Sequence, residues 1–142
     1  EFEYFNVMDV DPSAKPMDAG VRKLRLTKIE GTVIVPASGK NAGKQTFKIN
    51  GSFTVVDDEK YSGRRIWADF WLSNPYNQKE LRKLADSTGV NQEPGEPLTV
   101  WLARLAEFQP EFMAPVEVDN YTGADGEEHS KNKINFFQAR SV

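Results

Sequence analysis

KQTFKINGSFTVV (44–56), DDEKYS (57–62) and GRRIWADFWLS (63–73) follow one another directly and read as two strands joined by a hydrophilic turn. The second strand has the clearest period in the chain. Ile66, Ala68, Phe70 and Leu72 share one parity, and Arg65, Trp67, Asp69 and Trp71 share the other. Successive side chains of a strand point to opposite faces of a sheet, so the first set is a core face. The second set carries two indoles and a guanidinium, which a small domain seldom gives up to water. Either the chain covers that face or the face holds a ligand. In 45–56, Phe47, Ile49, Phe53 and Val55 alternate with Thr46, Lys48, Asn50, Ser52 and Thr54. Gly51 interrupts the apolar series and predicts a bend.

Working outward, VRKLRLTKIEGTVIV (21–35) is a further strand, rich in β-branched residues. Leu24 and Leu26 face one way, Lys23, Arg25 and Thr27 the other, and Gly31 marks the expected bulge. The loop PASGKNAGK (36–44) joins it to the next strand. The lead EFEYFNVMDVDPSAKPMDAG (1–20) is acidic and aromatic; Pro12, Pro16 and Gly20 preclude a long helix. Phe2, Tyr4 and Phe5 are expected to pack this lead on the sheet. Downstream, Asn77 reads as a helix N-cap, with Glu80 at N3, Tyr76 stapled onto Leu81, and Gly89 as the stop. LTVWLARLAEF (98–108) favours a second helix, with Trp101 in the core, although TVWLA alone would pass as a strand. FMAPVEVDNY (112–121) and NKINFFQAR (132–140) read as a closing hairpin, and the polar link TGADGEEHSK (122–131) as its long, mobile tip.

The chain has 142 residues, 39% hydrophobic and 27% charged, which suits one domain with its own core. It has no cysteine, hence no disulfide, thiolate metal site or thiol nucleophile, in keeping with a reducing cytosol. No apolar run approaches the roughly 20 residues that span a bilayer, so no membrane association is expected. The net charge of −3 is unevenly spread. Residues 15–83 hold fourteen Lys/Arg against seven Asp/Glu, residues 1–14 four acids and no base, and residues 84–142 ten acids against four bases. That asymmetry predicts a basic face on an acidic molecule.

Three strands, a helical connection and two strands is the order of the OB-fold, a five-stranded, partly open barrel. Its second and third strands, with the 1–2 and 4–5 loops, form the usual oligonucleotide surface. The expected ligand is therefore a single-stranded nucleic acid, bound with little sequence preference. Bases would stack on Trp67 and Trp71, about 7 Å apart along a strand, with Tyr61 and Phe137 as further rings. Phosphates would meet Lys40, Lys44, Lys48, Arg64 and Arg65, with Lys131 and Lys133 flanking the 4–5 tip and Lys23 and Arg25 extending the field. Glu117, Asp119, Glu127 and Glu128 should then keep clear of the path.

Catalysis has little to stand on. His129 is the only histidine and falls on the expected tip, so neither a familiar zinc site nor a Ser-His-acid set can be assembled. GKNAGKQT lacks the phosphate-loop spacing and precedes a strand. Asp57, Asp58 and Glu59 read as a solvated turn. No catalytic residue, metal or cofactor is predicted.

Three patterns carry a resemblance to a family: DVDPSAKPMDAG (9–20), YSGRRIWADFWLSN (61–74) with a Leu-rich helix ending in TG, and GADGEEHSKNKINFF (123–137). The chain resembles small bacteriophage OB-fold proteins akin to phage single-stranded-DNA-binding proteins. Val21 stands where that family has an aromatic residue. The resemblance implies single-stranded DNA binding in phage replication or recombination, in the cytoplasm of an infected bacterium. The implied protein partners are a phage recombinase, nuclease or replication protein. It implies no catalytic residue. Two other readings stay open: a protein-interaction module that uses the same aromatic face, and a sugar-binding barrel, which would show little salt sensitivity.

Overall fold

The computed structural model describes residues 2–4, 6–9, 15–40 and 42–142. It is mainly β. β1 (Gly20–Ile34), β2 (Thr46–Val56) and β3 (Arg65–Trp71) are followed by α1 (Pro75–Thr88) and α2 (Leu98–Phe108), then β4 (Glu111–Thr122) and β5 (Glu128–Ile134). The strands form one antiparallel sheet in the order β3-β2-β1-β4-β5. β3 and β5 are its edges, and no ladder joins them among the described residues, so the sheet is open.

The alternation on β3 follows the sequence reading. Ile66 and Phe70 are buried, whereas Arg65, Trp67 and Asp69 are exposed. The core face continues across Leu24, Leu26, Ile49, Phe53, Val55, Phe112 and Val116. α1 adds Leu81, Leu84 and Ala85, and α2 adds Trp101, Leu102 and Leu105. Trp101 is a core residue whose indole N–H donates to the Val90 carbonyl at 2.8 Å. No helix among the described residues is long and apolar enough to cross a membrane.

Several local expectations need correction. The β1 bulge lies at Thr27, not Gly31: Leu26 pairs with Phe53 and Lys28 with Ser52, which leaves Thr27 as the extra residue. Its hydroxyl donates to the Ser52 carbonyl at 3.0 Å. Gly31 has a different task, since a Cβ there would lie 2.1 Å from the Phe47 ring. Asn74, not Asn77, caps α1 by accepting the Tyr76 N–H at 2.8 Å, with Pro75 in the first turn. Asn77 instead accepts the Trp71 N–H at 3.0 Å and donates to Glu80 at 2.8 Å. β5 spans Glu128–Ile134 rather than 132–140, and its ladder reaches Thr122–Glu128, so the long tip shrinks to a turn over 123–127. In that extension Glu117 stands opposite Lys133 and Asp119 opposite Lys131. Past Ile134, a 3-10 turn swings Phe136 into the core.

Of the rings expected to pack the lead on the sheet, Tyr4 does not. Tyr4, Val7 and Met8 are exposed; the Phe2 side chain and Phe5 lie outside what is described. The part that docks is the segment from Lys15 to Asp18. Met17 is buried, its N–H donates to Asn132 Oδ1 at 2.8 Å, and its carbonyl accepts from Asn132 Nδ2 at 2.9 Å. Arg64 donates to the Lys15 carbonyl at 2.8 Å, and the Tyr61 hydroxyl donates to the Asp18 carboxylate at 3.0 Å. This segment bridges the two sheet edges where no backbone ladder does. Asn132→Ala would strand both Met17 backbone groups, and a loss of about 1–3 kcal/mol is expected in urea unfolding. An unchanged midpoint would show that the bridge contributes nothing to stability.

Candidate nucleic-acid interface

The gap between β3 and β5 follows from strand chemistry. The Arg64 carbonyl and the Leu72 N–H both bond to β2. Alternate residues of a strand turn both backbone groups the same way, so Arg65, Trp67 and Asp69 turn theirs outward, toward β5. The Asn135 N–H bonds to the Pro115 carbonyl of β4, so Ser130 and Asn132 turn theirs toward β3. Two adjoining hollows form a cleft between the edges, and both are lined by Trp67, Asp69, Lys131 and Asn132. Pro16, Arg64 and Arg65 line one end. Tyr76, Glu80, Glu117, Lys133 and Asn135 line the other.

Trp67 is 69% exposed, on the edge strand that borders this cleft. Trp71 is half-buried, with the Lys48 ammonium 5.1 Å from its ring centroid. Lys48 also pairs with Asp69 at 3.4 Å, so both side chains have partners within the sheet. Tyr61 is a structural strut: the Arg22 guanidinium lies 4.5 Å and the Lys60 ammonium 5.1 Å from its ring centroid, and its hydroxyl holds Asp18. Phe137 is half-buried against Tyr76, with ring centroids 4.8 Å apart. Tyr76 itself is 59% exposed at the cleft. Sequence reasoning gave it only a helix-staple role; its spacing one turn before Glu80 was the available signal.

Much of the basic excess is neutralised internally. Arg22 pairs with Asp58, Lys23 with Asp57 and Glu111, and Arg25 with Glu111. The Arg25 guanidinium holds the Glu111 carboxyl below its ordinary value, and Asp57 draws the Lys23 ammonium upward. Among the described residues, Lys40, Lys44, Arg65, Lys131 and Lys133 form no ion pair. Lys131 instead sits over the Tyr121 ring, 5.2 Å from its centroid. Arg64, Arg65 and Lys131 gather at one end of the cleft. Lys40 and Lys44 are exposed on the β1–β2 loop, toward the Trp71 end of β3.

Three acids line this cleft: Asp69, Glu80 and Glu117. Burial pushes the Glu80 carboxyl above its ordinary 4.5, against the opposing hydrogen bond from Asn77. A raised carboxyl binds its proton more tightly in the folded state, so this residue costs stability as pH rises through its folded value. Glu80→Gln should therefore raise the melting temperature at about pH 7 and lose that gain near pH 3.5, where both states are protonated. An equal gain at both pH values would remove the titration explanation.

His129 is not on a free tip. It faces Tyr121 in the ladder, with Nε2 3.1 Å from both Asp125 oxygens. Among the described residues no three His, Asp or Glu side chains group closely enough to hold a metal. Comparison of the chain with protein-family models and with curated protein sequences finds no match to either.

Proposed function

We propose that the β3–β5 cleft is a track for single-stranded DNA, and that the protein is a non-catalytic binder of it. The observation that carries this reading is the exposed Trp67 indole beside Arg65 and Lys131, two cations without ion-pair partners among the described residues. Bases stack on such rings irrespective of sequence, while cations follow the phosphates. The strand order and the open seam suit a partly open OB-type barrel. The sequence resemblance supplies the setting, replication or recombination of phage DNA in the host cytoplasm, with a recombinase, nuclease or replication protein alongside.

Titration of a fluorescent oligothymidylate tests it. With Arg64, Arg65 and Lys131 as contacts, log affinity should fall with log salt at a slope of about −2, from about −0.7 per phosphate. No shift at low salt and micromolar protein would sink the proposal. A second reading gives the cleft to an extended basic polypeptide. The outward-turned backbone groups on both edges favour strand addition, and Asp69, Glu80 and Glu117 favour positive charge. Salt-insensitive indifference to oligonucleotides would direct attention there.

A further inference from the structure

The carboxylate-bearing end of the cleft is a poor place for phosphate but has the make-up of a site for the edge of a base. Glu117 and Lys133 stand directly opposite one another on β4 and β5 and point to the same face. Such a pair ordinarily forms an ion pair across the strands, yet none forms between them. Glu117 Oε2 is instead held by Asn135 Nδ2 at 3.3 Å, and Oε1 has no hydrogen-bond partner among the described residues. Glu80 is held in the same way by Asn77, at 2.8 Å. Trp67 and Tyr76 both line this chamber, which encloses about 350 Å³. That is the low end of the range for small-molecule sites, roughly 300–1,000 Å³. Two exposed rings, a fixed carboxylate and an adjacent ammonium therefore share one small space.

We infer that this chamber takes one unstacked base of the bound strand and prefers guanine to thymine. The inference rests on the single-stranded DNA reading above. The Watson–Crick edge of guanine offers one acceptor, O6, beside two donors, N1–H and the N2 amino group. The chamber offers the complement: the Lys133 ammonium as donor and the Glu117 carboxylate as acceptor. Unstacked bases are read in this manner, by edge hydrogen bonds with aromatic stacking. Thymine presents carbonyls on both sides of its single N–H, so one would face a carboxylate. Glu117 and Lys133 carry opposite charges and offset one another, while Asp69 and Glu80 beside them leave the backbone phosphates to the Arg64 and Arg65 end of the cleft. Elsewhere along the cleft, binding stays sequence-tolerant.

The test compares a 12-mer of thymidine with the same oligomer carrying one central guanine, by fluorescence anisotropy at a fixed salt concentration. The guanine oligomer should bind about tenfold more tightly, in line with one bidentate contact. Hypoxanthine in place of guanine lacks the N2 amino group and should lose most of that difference. Glu117→Gln should abolish the difference between the guanine and thymine oligomers. Equal binding of both oligomers would overturn this inference while leaving the DNA track intact. A preference that survives Glu117→Gln, or survives hypoxanthine undiminished, would overturn the role given to the carboxylate. If neither oligomer binds at low salt, the track and the base site fall together.

Discussion

Phe136→Ala is expected to destabilise the fold by about 3–5 kcal/mol, the range for emptying a buried aromatic site. The ring is 2% exposed. Its centroid lies 5.4 Å from Phe53, 5.2 Å from Phe70 and 6.2 Å from Phe112, which come from β2, β3 and β4. Phe136 belongs to no strand, so the substitution leaves the hydrogen-bond ladders untouched and removes only packing. A domain of this size has about 5–15 kcal/mol in all, so the loss takes a large share. The melting temperature should fall by roughly 10 °C. Phe136→Leu, which refills most of the volume, should lose far less. A drop below about 1 kcal/mol for the alanine variant would show that the surrounding rings close over the space.

Trp67→Ala should give the opposite profile. Its indole is 69% exposed, so little packing is lost, and the melt should stay within about 0.5 kcal/mol of the parent. Oligonucleotide binding should weaken by about 1–3 kcal/mol, the usual worth of one stacked base. Quenching of indole emission on binding should diminish with it. Trp101→Ala separates the two roles, because that indole is buried and bonded to Val90; it should lower stability first. Undiminished binding by Trp67→Ala, with a normal melt, would remove the stacking platform and favour a polypeptide ligand.

The sheet was legible where burial obeys a simple period. β3 shows this best: Ile66 and Phe70 inward, Arg65 and Trp67 outward, all readable from alternation alone. Errors arose where two local signals competed. The Asn77-to-Glu80 spacing suggests a capping box, but Pro75 after Asn74 marks the true start of α1. Apolar Phe136 and Phe137 suggested a strand, whereas polar HSKNK continues the ladder because each residue finds a partner on β4. The site was less legible than the fold. Charge counts do not reveal that Lys23, Arg25 and Lys48 already have carboxylate neighbours. The cleft itself joins Arg64 and Trp67 to Lys131, more than sixty positions along the chain, and no short window contains it.

The central place of β1 has a consequence for how the chain is made. β1 meets β2 across the loop 35–45, but its first residues, Gly20 to Arg25, also pair with Val116 to Glu111 of β4. That second partnership closes a loop of roughly ninety residues, which is slow as well as costly in chain entropy. During synthesis the meander of β1, β2 and β3 leaves the ribosome first, with the early part of β1 as an unpaired edge. Leu24 and Leu26 would make that edge adhesive. Arg22, Lys23 and Arg25 are interleaved with them, and alternating charge is how natural edges discourage pairing between chains. The same cations later neutralise Asp58, Asp57 and Glu111 in the finished sheet.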